Sequence, residues 1–326
     1  MRIAVPPLVP AAMARWDRRA AVHDLSGETM GTVWRVRLAA PVDAALAEVR
    51  AAIQSALDGV VAEMSHWEAN SVLSGFNRAP AGSWTALPPD FATVIAAALE
   101  IAAKTGGAFD PAVGALVDRW GHGPERVDRL PGPAEVAEAL ALGGWRRLAF
   151  DAGARRLRQP GGLRLDLSGI AKGFAVDRLA AVLATRGLRH ALVEVGGELI
   201  GRGMRPDGDP WWVELETPSA TERLRVALHE CAIATSGDYV RGRHTIDPRT
   251  GEPVGHAMAV SVLHPSAMMA DAWATALSVT PPDERERLAT AEGLAVRALD
   301  RAESGVREWI SPMLAAWIDG SEEQLA

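Results

Sequence analysis

The chain has 326 residues, 48% of them apolar and 23% charged, with a formal net charge of −7 and a pI near 5.7. That is enough apolar surface for one large core or two ordinary ones, and the acidic balance argues against a nucleic-acid-binding surface. The single cysteine, Cys231, excludes an internal disulfide and a cysteine-based metal site; in ECAIATSG it reads as a core thiol.

The first segment, MRIAVPPLVPAAMARW, is mildly apolar, but three prolines interrupt it and DRRAA follows at once. It reads neither as a secretory signal nor as a membrane span, and there is no lipoprotein cysteine. The expectation is a cytoplasmic chain, with a periplasmic one as the alternative if a leader has been removed. Residues 1–28 are set apart as an N-terminal extension and 29–326 as a single domain.

From there TMGTVWRVRLA (29–39) alternates as a half-buried strand, and VDAALAEVRAAIQSALDGVVAEMSHW carries helical spacing. DFATVIAAALEIAAKTGG is a second helix, stopped by paired glycines. In AFDPAVGALVDRWG, Asp110 reads as an N-cap with Pro111 at the first helical position. A short helix, PGPAEVAEALALGGW, precedes two strand-like pieces, RRLAFDAGARRLRQ and GLRLDLS, read as a hairpin. GIAKGFAVDRLAAVLATRG is a helix and ALVEVGGELIGRG a strand, turn and strand. WWVELET to VSVLHP is mostly strand, SAMMADAWATALSVT is helical, and GLAVRAL is a last strand. Without repeats or a long linker, this is an α+β unit with a mixed, largely antiparallel sheet flanked by helices.

No GxGxxG follows a strand, and GxxxxGK[ST], HExxH and CxxC are absent, so Rossmann, P-loop and zinc sites are not indicated. In DLSGIAKG a strand-like run meets a helix through Ser168 and Gly169, where backbone amides can approach a ligand. Asp166 there either binds a ribityl or ribose hydroxyl or a base edge, or shares with Ser168 the plain task of capping the helix. Only Lys104 and Lys172 are lysines, all other basic side chains being arginine, so a slim ammonium inside this motif points to a tight anionic site. Asp271 and Thr275 are four apart on a predicted helix and share a face, a hard oxygen pair suited to Mg²⁺; a helix cap and a packed threonine explain them equally simply. His244 precedes a DPRTG turn and is either a base or donor, or part of a bare hairpin. Gly196 and Gly197 permit close backbone approach or simply turn the chain. Trp67 stacks on a flat ring or fills a core. Trp211 and Trp212 read as exposed, a partner surface, or else as core.

Taken in order, MGT (30–32), MSHW with NS and FN (64–77), GAFDP (107–111), DLSGIAKGFAVD (166–177), VGGE (195–198), ATSGDY (234–239), HTIDPRTG (244–251) and DAWATAL (271–277) resemble the ApbE family of FAD:protein FMN transferases over residues 29–280. The resemblance implies a T-fold-like architecture. It also implies Mg²⁺-dependent transfer of FMN from FAD to a Ser or Thr hydroxyl of an acceptor flavoprotein, with AMP released. By position it assigns FAD contacts to Met30, Trp67, Ala108, Phe109, Asp110, Asp166, Lys172 and Thr245. Metal ligation falls to Gly169, Asp271 and Thr275. Of the catalytic pair, Asp271 acts through the metal and His244 handles the hydroxyl's proton. Asn70 stands where the family commonly has Asp, and Ala274 where some members carry an acid. An FAD pyrophosphatase and a non-catalytic FAD-binding protein are the alternatives. Partners are FAD and the acceptor, with no nucleic acid and no membrane span.

Overall fold

The computed structural model describes residues 1–215, 221–238, 245–303 and 305–324, the last six as backbone alone. Among these, the large sheet has eight strands, and their order across the sheet is their order in the chain: Ala21–Thr29, Thr32–Ala40, Ala191–Val195, Glu198–Arg202, Cys231–Ser236, Ala257–His264, Ala295–Ala302 and Gly305–Ile310. Every pairing is antiparallel. Two of the joins are two-residue turns with positive φ at both positions, Met30–Gly31 (49° and 68°) and Gly196–Gly197 (63° and 108°). That backbone matches the right-handed twist of the strands it joins.

Both faces of the sheet are covered, and the strands alternate between two cores. Ala232 and Ala234 face one, Cys231 and Ile233 the other. On the first face lie the helices Leu46–Met64, Ala171–Thr185 and Ala267–Val279, with Pro89–Lys104 packed on the last. On the second, the strands Arg2–Ala4, Leu224–Leu228 and Trp211–Glu214 form a three-stranded sheet, joined by the helix Pro312–Gln324. Double coverage explains why Cys231–Ser236 and Ala257–His264 read as near-continuous apolar runs, whereas Thr32–Ala40, towards the less covered end of the sheet, alternates. No helix among the described residues is long and apolar enough to cross a membrane.

Several local expectations change. The first 28 residues are woven into the fold: Ala21–Thr29 belongs to the main sheet, and Arg2–Ala4 pairs in parallel with Leu224–Leu228. The hairpin of the middle region lies within RRLAFDAGARRLRQ alone, Ala149–Asp151 against Arg156–Arg158, while residues 163–168 form no strand. Instead the Asn77 side chain takes the place of a neighbouring strand, donating to the Leu165 carbonyl at 3.0 Å and accepting from its amide at 2.8 Å. Asp110 caps no helix; the helix begins at Gly114 behind Val113. Trp211 is buried, its indole N–H donating to the Arg202 carbonyl. GLAVRAL is followed by a further strand, Gly305–Ile310, which forms the edge of the sheet.

Candidate active site

The helix Ala267–Val279 is apolar on almost every side and lies between the sheet and the helices Ala171–Thr185 and Pro89–Lys104. Ser266 caps it, which removes that role from Asp271. Asp177 reaches across from the other helix and accepts from Ser266 Oγ (2.6 Å) and from the amides of Ala267 (2.9 Å) and Met268 (3.0 Å). A carboxylate at a helix N-terminus is favoured by the exposed amides and the helix dipole, so this contact locks the two helices in register.

That register brings Asp271 and Thr275 to the N-terminal turn of Ala171–Thr185. Asp271 is 4% exposed, and Gly173 donates its amide to Asp271 Oδ2 at 2.9 Å. Burial raises the Asp271 pKa, against the pull of the Lys172 charge and the Gly173 bond. Glycine is needed at both contact points: a Cβ on Gly173 would lie 2.2 Å from the Ala267 carbonyl oxygen, and one on Gly169 would lie 2.8 Å from Thr275 Oγ1. Lys172, in the same turn, forms an ion pair with Glu198, the first residue after the Gly196–Gly197 turn.

A cleft of about 630 Å³ opens along this junction. It falls in the usual range of small-molecule sites. Of the residues expected to bind FAD or metal, Trp67, Ala108, Phe109, Asp110, Asp166, Gly169, Lys172, Thr245, Asp271 and Thr275 all line it. Met30 does not; it sits half-buried in the neighbouring turn, whose Thr32 lies against Gly196. His244 lies outside the described residues.

Two buried carboxylates held by backbone amides also line the cleft. Asp110 accepts from the amides of Ala112 (2.7 Å) and Trp145 (2.9 Å), and burial pushes its pKa up to about 6. Asp166 accepts from the Ser168 amide at 2.7 Å, with the His66 ring nitrogen 3.6 Å away. The Asp166 amide in turn donates to the Pro111 carbonyl at 2.9 Å, tying the two segments together. Trp67 stands at the rim, 64% exposed, so its indole face is available for stacking rather than spent in a core.

No cluster of three His, Cys, Asp or Glu side chains suited to a metal occurs among the described residues. The donors at this junction are one carboxylate, one hydroxyl and the backbone around Gly169. Such a hard, oxygen-only set with few protein ligands suits Mg²⁺, which keeps water and substrate phosphate in its shell.

The residue pattern that defines the ApbE family matches residues 30–298. The chain belongs to the ApbE family. It is 34% identical to the FAD:protein FMN transferase of Klebsiella pneumoniae over 314 residues, 91% of this chain and 90% of that protein. Its fold resembles the flavin transferase ApbE from Vibrio cholerae with a TM-score of 0.86 at 34% identity, covering 91% of this chain and 99% of that one. The Pseudomonas stutzeri flavinyl transferase ApbE also aligns with a TM-score of 0.86, at 32% identity, over 92% and 97% of the two chains.

In this ApbE chain the motifs divide into those that line the cleft and those that hold its walls. In ATSGD, a Cβ on Gly237 would lie 2.0 Å from the Met258 carbonyl oxygen, and Asp238 accepts two bonds from Arg301 (2.9 and 2.7 Å). Sequence reasoning quoted His66, Asp177 and Glu198 within motifs but gave them no task. Nothing local reports these partners, because each acts on a residue far away in the chain.

Proposed function

We propose that this chain is an FAD:protein FMN transferase that uses Mg²⁺ to move FMN from FAD onto a Ser or Thr hydroxyl of an acceptor protein. The observation that carries the reading is the meeting of Asp271, Thr275 and Gly169 with Lys172, Asp166 and Asp110 in one cleft. The hydroxyl oxygen bonds to the FMN phosphorus, the bond to the bridging pyrophosphate oxygen breaks, and AMP leaves with that oxygen. The hydroxyl's proton passes to His244, the residue proposed to accept it.

Mg²⁺, held by the Asp271 and Thr275 side chains and the Gly169 carbonyl, would neutralise phosphoryl charge and orient the groups for displacement. Lys172 adds a fixed positive charge beside the nucleotide. Asp166 and Asp110 would bind hydroxyl or base-edge donors, since each carboxylate oxygen has a second lone pair that still accepts beyond any backbone bond it makes. Trp67 offers a ring for stacking at the mouth. No nucleophile from this chain is needed, because the acceptor brings its own.

The test is incubation with FAD, Mg²⁺ and a Ser/Thr acceptor peptide, following AMP and the mass of the peptide. Addition of FMN to the peptide, abolished by EDTA and lowered roughly 100-fold or more in Asp271→Asn, is expected. AMP and free FMN produced equally with and without acceptor would replace this reading with a pyrophosphatase. FAD binding with no AMP would leave a flavin-binding protein.

A further inference from the structure

Glu198 is 3% exposed and occupies the first position of its strand, immediately beyond the Gly196–Gly197 turn. Its Oε1 is paired with the Lys172 ammonium, whereas its Oε2 is buried without a hydrogen-bond partner among the described residues. Burial, with the negative charge of Asp271 nearby, raises the Glu198 pKa, and the Lys172 charge opposes the rise. A half-satisfied buried carboxylate is a costly way to fill space, and an apolar side chain of similar volume would serve stability as well or better.

The surroundings fit Lys172 to this partner. A Cβ on Gly196 would lie 2.9 Å from the Thr32 methyl and 3.5 Å from Lys172 Cδ, so the glycine turn lets the lysine stem run close along the backbone towards Glu198. Helix Ala171–Thr185 fixes the other end of the side chain in its first turn. A lysine has four rotatable side-chain bonds, and a buried anion at its tip removes much of that freedom before any ligand arrives.

We propose that Glu198 is a positioning residue, whose carboxylate holds the Lys172 ammonium at the cleft wall in readiness for the phosphates of the bound flavin nucleotide. The inference rests on the FAD reading above. Glu198 lines the same cleft, and the role proposed for it is exerted through Lys172. Its removal therefore weakens binding of FAD in ground and transition states alike, rather than slowing the chemical step.

The chain's two lysines make this directly measurable, Lys104 serving as the reference. Full-length protein, E198Q and E198D are acylated with a small amine-reactive reagent, with and without FAD, and the modified fractions of Lys172 and Lys104 are read by peptide mass spectrometry. FAD is expected to shield Lys172 but not Lys104 in the parent. Loss of this shielding pattern in the parent would overturn the FAD reading of the cleft. In E198Q without FAD, the Lys172 to Lys104 ratio is expected to rise several-fold, because the side chain is no longer held against the Glu198 carboxylate and meets the reagent more readily. KM for FAD is expected to rise about tenfold with kcat little changed, and E198D, which keeps the charge, to fall between. A shielded parent together with a folded E198Q that keeps the parent's labelling ratio and KM would overturn the proposal for Glu198.

Discussion

Gly173 and Asp271 are 98 residues apart in the chain, yet the glycine amide donates to the aspartate Oδ2 at 2.9 Å with the two helices in direct contact. The distance between these helices is set by the absence of a side chain at position 173. Gly173→Ala would drive a methyl group into the Ala267 carbonyl and to within 2.7 Å of Asp271 Cβ. We expect a loss of about 1–3 kcal/mol in urea unfolding and an FMN-transfer rate that falls well beyond what the stability change explains. A variant as active and as stable as the parent would show that the helix spacing is not what places Asp271.

Asp110 supplies a pH dependence with a defined sign. Its pKa in the fold is about 6, raised by burial from an ordinary 3.8. The folded protein therefore holds this proton more tightly than the unfolded chain does. The group's favourable contribution is complete below about pH 4 and is lost as pH rises through 6, by roughly 3 kcal/mol in total. Urea unfolding of the parent and of Asp110→Asn at pH 4.5 and pH 7.5 isolates the effect. The parent is expected to lose stability relative to the variant across that interval, and a constant difference would refute the assignment.

Arg285 and Asp300 form a fully buried ion pair between the helix Pro282–Ala291 and the strand Ala295–Ala302. Asp300→Ala leaves the guanidinium buried without its counter-ion, which is expected to cost about 3–5 kcal/mol. Replacing both partners, Arg285→Met with Asp300→Leu, removes the stranded charge and should recover most of that loss. Chemical denaturation of the three proteins gives the comparison, and equal losses in the single and double variants would count against it.

Cys231 faces the core beneath the three-stranded sheet, and burial pushes its thiol pKa up to about 12. The native protein is therefore expected to be inert to a thiol-specific reagent at pH 8 and to react fully in denaturant. Fast stoichiometric modification without unfolding would contradict its placement.

The helices and most strands could be read from the chain because their periodicity is local: apolar spacing marks Pro89–Lys104, and Ala267–Val279 is marked by an apolar run interrupted only by Asp271, Thr275 and Ser278. Asp271 and Thr275 share a face for the same reason, being one helical turn apart. Local signals misled where two local solutions compete. Asp110 before Pro111 has the chemistry of a helix cap, but its carboxylate instead closes on Ala112 and on Trp145, 35 residues away. GLRLDLS has the alternation of a strand, but at Leu165 the place of a strand partner is taken by the side chain of Asn77, 88 residues earlier. Trp211 beside Trp212 gave no hint of which would be buried until strand pairing set the alternation.

The pattern of elements along the chain was enough for the α+β class and the order of motifs for the family, since composition, spacing and helical phase are properties of contiguous residues. Long-range packing alone fixed the cleft: the contact of Gly173 with Asp271, the Asp177 carboxylate on the N-terminus of the next helix, and the pairing of Lys172 with Glu198. Each joins segments many residues apart, and their relative placement follows from burying two faces of one sheet at once, a condition that no single stretch of sequence contains.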